Sequence, residues 1–178
     1  DSRELCEVDH CPISSPLLND AIKVISSAAK RREWPSFLQT LELFTDEKGL
    51  QLNVVETNRP VAARFFTWCR ELLPACVPGP LQYQAAGHAF RVSRGSFFQV
   101  NRFLIDALVN EVTHDIAGGS IVDLYAGVGL FSLPLAHRAG RIEAVERGTS
   151  AYRDLEANTA EWIDRVFPVK SPTEDYLK

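Results

Sequence analysis

No stretch of this 178-residue chain approaches the roughly 20 consecutive apolar residues that a membrane-spanning helix needs. The first residues are charged, so no secretory signal is visible and no membrane partner is expected. The four cysteines, Cys6, Cys11, Cys69 and Cys76, fit no tight Cys-x-x-Cys frame, and a reduced, cytoplasmic setting is the expectation. Internal repeats and low-complexity tracts are missing too. So is an overall positive charge: the formal net charge is −4, which does not advertise a nucleic-acid binder. What remains is an ordinary globular composition, 46% hydrophobic and 24% charged, long enough for one large domain or two small ones.

The charge is unevenly spread. Residues 61–105 hold five arginines against one carboxylate, between two acidic flanks. A basic middle is compatible with a local phosphate-facing surface, and equally with solvated arginines on an ordinary face.

The chain is organised around Ile121-Val-Asp-Leu-Tyr-Ala-Gly-Val-Gly-Leu-Phe131. Ile121, Val122 and Leu124 suit a fully covered strand. Gly127 and Gly129 permit a sharp turn and close approach to bare backbone, and Leu130 to Arg138 continue as an apolar helix. Such a strand–turn–helix presents a ligand site at the carboxyl end of the strand in an open α/β sheet. A dinucleotide fingerprint would need a third glycine, where Ser132 stands. Asp123 would also repel a pyrophosphate. A cationic, amine-bearing ligand such as S-adenosylmethionine fits better. Arg141 to Glu146 reads as the next strand, ending in a carboxylate able to accept hydrogen bonds from ribose hydroxyls.

In chain order, Ser14 or Ser15 caps a helix opened by Pro16. Phe37–Thr45 and Leu50–Val54 alternate around the turn Asp46–Gly49 as a hairpin. Val61–Leu73 reads as a helix, Pro74–Pro80 as a loop and Leu81–Val92 as short strands. A helix over Arg102–Ile116 ends at Gly118-Gly119. A third helical stretch covers Ser150–Ile163, and a third strand Val166–Val169. The expected fold class is α/β: a central α+β domain over residues 1–100, then the first half of a Rossmann-like methyltransferase fold over 101–178. A doubly wound sheet grows from its first strand in both directions, and only one direction is present. The chain is therefore expected to be a piece of a longer protein, with an exposed strand edge open to self-association.

One further stretch, Phe90 to Asn101, leads a strand into Phe97, Phe98 and Gln99. The two aromatics could stack on a base and Gln99 could read its edge. Composition alone favours the other reading, in which both rings are core and Gln99 satisfies a loop backbone.

Ser96-Phe-Phe-Gln-Val-Asn101, Asp123-Leu-Tyr-Ala-Gly-Val-Gly129 and Glu146 together resemble the RNA uracil-C5 methyltransferase family, specifically over about residues 84–160 and more loosely before. The resemblance implies S-adenosylmethionine as cofactor and tRNA or ribosomal RNA as partner, with 5-methyluridine as product. It places Gln99, Asp123, Tyr125, Gly127, Gly129 and Glu146 at the cofactor. Leu130 stands where many members have a polar residue, so only its backbone could serve there. His10-Cys11-Pro12 resembles the segment that supplies the fourth ligand of an iron–sulfur cluster in some members, which makes Cys11 a candidate ligand in a full-length parent. Family members attack uracil C6 with a cysteine that follows an Asp-Pro-Pro-Arg-like motif on a later strand. None of the four cysteines lies in that context, so no catalytic residue is expected here and residues 1–178 should be inactive alone. Two other classes stay open: a methyltransferase for another substrate, and a non-catalytic RNA-binding module.

Overall fold

The computed structural model describes residues 7–178, so Cys6 lies outside the described residues. These residues divide after Pro78 into two compact units, the second being Gly79–Lys178. Among them no helix is long and apolar enough to cross a membrane.

The first unit opens with α1 (Pro16–Ala29). Ser15 caps it: its Oγ accepts from the Leu18 N–H at 3.2 Å, and Pro16 fills the first turn where no N–H is needed. Strands β1 (Leu38–Thr45) and β2 (Leu50–Thr57) pair antiparallel. Asp46 Oδ1 closes their turn by accepting from the Lys48 and Gly49 N–H groups. Helix α2 (Ala63–Leu72) lays Phe65 and Cys69 against Leu52, with Ile25 of α1 packed onto the same cluster. The proline loop then docks beside β2, where Leu50 exchanges backbone hydrogen bonds with Ala75 and Val77 at 2.8 Å.

The second unit begins with a hairpin, β3 (Leu81–Ala85) and β4 (His88–Val92), turned by Ala86-Gly87, both at positive φ. After α3 (Ile105–Thr113) comes a parallel sheet in the order β5-β6-β7: β5 (Ser120–Leu124), β6 (Arg141–Glu146) and β7 (Val166–Lys170). The short α4 (Ser132–Leu135) connects β5 to β6, and α5 (Thr149–Asn158) with a single 3₁₀ turn at Ala160–Trp162 connects β6 to β7. A last turn of helix, α6 (Thr173–Tyr176), follows β7.

Several elements differ from the sequence reading. β5 lies at the edge of the sheet, as expected, but its face is not fully covered: Val122 is 49% exposed, whereas Ile142 and Ala144 of the central β6 are fully buried. Hydrophobicity marks a strand but does not say which neighbours it has. The helix after the glycine turn shrinks to Ser132–Leu135, because Pro134 has no N–H to donate to Leu130. α3 starts at Ile105; Asn101 instead holds an opening turn, its Oδ1 accepting from Phe103 N. The stretch after Ser150 breaks at Thr159, whose hydroxyl donates back to the Leu155 carbonyl at 2.8 Å. The seam between the units falls after Pro78 instead of near Asn101, because the β3–β4 hairpin is bonded to α5.

Candidate functional site

The glycine turn is built as its sequence requires. Three residues there take left-handed backbone angles: Tyr125 (φ 59°), Gly127 (φ 58°) and Gly129 (φ 94°). For a tyrosine this conformation costs about 1 kcal/mol or more, a strain that concentrates at binding sites. It turns the Tyr125 ring outward, where it is 71% exposed at the carboxyl end of β5.

Glu146, at the carboxyl end of β6, reaches across to this turn. Its Oε2 accepts from the Gly127 N–H at 2.9 Å and its Oε1 from the Gly148 N–H. The carboxylate is thereby fixed in orientation, and each oxygen keeps a second lone pair for a ligand hydroxyl. Tyr125, Glu146, Arg147 and Gly148 share a cleft of about 380 Å³ with Pro172, Thr173 and Glu174, from the turn after β7. These last three were not foreseen, since nothing in a Ser-Pro-Thr-Glu run marks a ligand site before the parallel order of the strands is known.

Asp123 points into the turn. Its Oδ2 accepts from the Ser132 hydroxyl at 2.5 Å, and Ser132 itself is fully buried. Ser132 therefore does more than replace a packing glycine: it neutralises part of the cost of a half-buried carboxylate. Burial still outweighs that hydrogen bond and pushes the Asp123 carboxyl above its usual range. The linkage has a definite sign. A carboxyl with a raised folded-state pKa favours the fold while protonated, so its contribution is lost as pH rises through that pKa. Asp123→Asn is thus expected to be more stable than the parent at neutral pH, with the gap closing as pH falls toward the ordinary aspartate range. Urea unfolding of both proteins between pH 4 and 7 measures this.

The second aromatic stretch divides its labour. Phe98 is 4% exposed and packs with Tyr83 and Phe90 at ring-centroid distances of 4.7 and 5.7 Å. Phe97 is 71% exposed. Gln99, half-buried, lines a second cleft of about 510 Å³ with Asn101, Leu104, Ile105, Leu108 and Glu111. Gln99 and Glu146 thus line two different clefts. The two stretches nonetheless meet: a Cβ placed on Gly127 would stand 3.9 Å from the Phe97 carbonyl oxygen. The Leu130 side chain is buried, leaving only its backbone to face a ligand.

A buried hub holds this meeting point. Asp154 of α5 is fully buried, and its two oxygens accept from Arg91 Nε (2.9 Å), Ser93 N, Ser93 Oγ and Ser96 Oγ (2.7 Å each). One turn later, Asn158 accepts from Arg91 N and donates to the carbonyls of Arg91 and Val128. α5 therefore ties the Ser93–Ser96 loop and the glycine turn into one frame. Sequence reasoning missed both residues; the only signal was a polar i, i+4 pair on the helix face that also buries Ala151 and Leu155.

Cys11 lies in the first unit. Its thiol is pulled below the ordinary cysteine range, chiefly by the Ser14 hydroxyl, and Asn19 pins its backbone to α1. Among the described residues no group of three or more His, Cys, Asp or Glu side chains could hold a metal. The described residues thus do not by themselves fit an iron–sulfur cluster. Burial pushes the Cys69 thiol up to about 11, which suits a core residue better than a nucleophile.

No family model matches the chain. Among curated proteins it is 29% identical to an uncharacterized RNA methyltransferase of Streptomyces coelicolor, over 99% of this chain and 41% of that protein. It is 27% identical to a 23S rRNA (uracil(1939)-C(5))-methyltransferase of Tolumonas auensis, over 82% of this chain and 37% of that protein. The chain spans about two fifths of the length of these relatives. Among solved structures, the Pyrococcus abyssi tRNA (uracil-54, C5)-methyltransferase in complex with S-adenosyl-L-homocysteine superposes with a TM-score of 0.72, at 16% identity, over 94% of this chain and 49% of that one. That likeness establishes the fold, a Rossmann-like α/β sheet preceded by an α+β unit.

Proposed function

We propose that this chain, a relative of RNA uracil-C5 methyltransferases, carries the cofactor cradle of such an enzyme and one wall of its uridine site. The observation that carries the reading is the junction at Gly127, where the Glu146 carboxylate binds one side of the turn and the Phe97 backbone approaches the other. The residues fit S-adenosylmethionine. Glu146, aligned by two N–H groups, would take the ribose hydroxyls, and the exposed Tyr125 ring would lie against the adenosine. Gly127 leaves room for the ligand to cross the bare backbone toward the Gln99 cleft. The half-buried Asp123 holds negative charge beneath the turn, which favours a cation above it.

When bound, the cofactor supplies an electrophilic methyl group on a sulfonium. The chain's own part is to bind, orient and exclude water. Phe97 would stack on a base and Gln99 would pair with the uracil edge, leaving 5-methyluridine in tRNA or ribosomal RNA as product. None of Cys6, Cys11, Cys69 and Cys76 follows an Asp-Pro-Pro-Arg-like motif, so the attacking thiolate belongs to the remainder of the enzyme. A cytoplasmic setting completes this reading. β5, bonded on one side to β6, offers its other edge to a further strand, either of the same enzyme or of a second copy.

Calorimetric titration with S-adenosylhomocysteine tests the cradle. The expected result is measurable binding that Tyr125→Gly weakens without loss of stability, since glycine accepts φ 59° at no steric cost. Glu146→Ala should weaken it further. Equal affinity in all three proteins would overturn the assignment.

A further inference from the structure

The first unit contains a cleft that the cofactor reading leaves unused. It has a volume of about 650 Å³ and opens where the start of β1, the end of β2 and the start of α2 converge. Its walls are aromatic and apolar: Phe37, Phe65 and Trp68, with Pro35 and Pro60. These rings belong to a packed cluster. Trp34 meets Phe65 edge-on at 6.2 Å and Trp68 at 5.9 Å, while Trp68 lies 6.3 Å from Phe65. The wall is therefore preformed, so a flat ligand would not have to assemble it.

The rim is cationic. Arg59 and Arg64 both line the cleft, both are exposed, and neither guanidinium has an ion pair or hydrogen bond among the described residues. Glu33 is the one carboxylate that lines it. Arg64 stands in the first turn of α2, which holds no acidic residue, and the preceding Ala62 offers no side-chain cap. A cation at an uncapped helix start is disfavoured by the helix dipole by about 0.3–1 kcal/mol. An anion bound there reverses the sign, because it faces both the arginines and the open end of the helix. The mouth of the cleft is also held in shape: the Thr57 hydroxyl donates to the Arg59 carbonyl at 2.7 Å, and Asn58 N donates to the Phe37 carbonyl at 3.1 Å.

We propose that this cleft binds one nucleotide of single-stranded RNA, its base against the Trp68–Phe65–Phe37 wall and its phosphate between Arg59 and Arg64. The inference rests on the RNA reading above for its choice of partner. The chemistry matches in each part. Aromatic faces stack on any base, arginines take phosphate oxygens, and Glu33 can accept from an exocyclic amine. The volume lies within the range of ordinary small-ligand sites. The nucleotide held here is distinct from the methylated uridine, which the cofactor reading places at Gln99 in the second unit. The cleft therefore serves grip and register, and leaves the chemistry to the second unit.

The test uses the full chain, a fluorescently labelled decauridylate and a labelled decaadenylate, read by anisotropy across a salt series. The double reversal Arg59→Glu/Arg64→Glu should weaken binding at least tenfold at low salt. It should also lower the slope of log affinity against log salt by about 0.7, the share of one neutralised phosphate on a single strand. Arg64→Glu alone should not lower the melting temperature, which separates lost binding from lost folding. Trp68→Phe keeps a stacking face, so it should retain affinity while losing most of the RNA-induced tryptophan quenching. Unchanged affinity and salt slope in the double variant would overturn the site while leaving RNA binding elsewhere intact. An acidic polyglutamate peptide that bound as tightly as the oligonucleotides would point to a protein partner and overturn it too, as would the absence of any oligonucleotide binding. S-adenosylhomocysteine titration of the same variants reports on the second unit alone, so a failure of the cofactor reading registers separately.

Discussion

Asp154→Ala is expected to destabilise the protein by about 3 kcal/mol or more, read as a fall in the urea midpoint at unchanged slope. The carboxylate is fully buried and accepts four hydrogen bonds, three of them from Ser93 and Ser96. Alanine would leave those donors without an acceptor where water does not replace it, and breaking such a buried charged network is among the costliest single changes. Arg91, whose side chain is 43% exposed, recovers part of its hydration and limits the loss. Asp154→Asn keeps the shape and one acceptor oxygen, and should lose about half as much. The functional consequence goes beyond stability. Ser96 begins the Phe97–Gln99 stretch, so S-adenosylhomocysteine affinity should fall in conditions where Asp154→Asn is still folded. An alanine variant as stable as the parent would show that the hub is ornamental.

Gly129→Ala should cost about 2–4 kcal/mol, combining backbone strain with overpacking. At φ 94° an L side chain is strained wherever it points, and its Cβ would stand 2.9 Å from Leu155 Cδ1. Leu155 is fully buried in the cluster with Ile142 and Ala144, so it has nowhere to retreat. Gly127→Ala makes the contrasting case. Its φ is 58°, and the added Cβ meets only the Phe97 carbonyl at 3.9 Å. It should lose only about 1 kcal/mol while impairing the ligand more than the fold. Paired thermal melts and ligand titrations distinguish the two. Gly129 would report in the melting temperature and Gly127 in the affinity. Equal effects on both measurements would mean that the turn has no division between a packing glycine and a ligand-facing one.

The elements most legible in the sequence were those written in local chemistry. A serine cap before Pro16 marked the start of α1, Asp46–Gly49 the first hairpin, and Gly127 and Gly129 the turn after β5. The likeness to RNA uracil-C5 methyltransferases was carried by the same kind of signal, and relatives bearing that description match the chain. The exposure of Val122, the division between Phe97 and Phe98, and the roles of Asp154 and Asn158 were not legible. Each depends on residues far away in the chain. Two adjacent phenylalanines are equivalent in composition, and only the neighbouring Tyr83 and Phe90 decide which of them is core.

By itself, the sequence determined the start of α1, the turn of the first hairpin and the glycine turn after β5, because these follow from backbone sterics and side chains within a few residues of each other. Tertiary structure alone decided that Val122 is exposed, that Ser132 partners Asp123, and that one buried aspartate on α5 gathers the loop of Phe97 to the glycine turn. Burial and hydrogen-bond partnership are properties of the packed chain: a carboxylate acquires its role only when folding removes water and brings donors from distant segments to replace it.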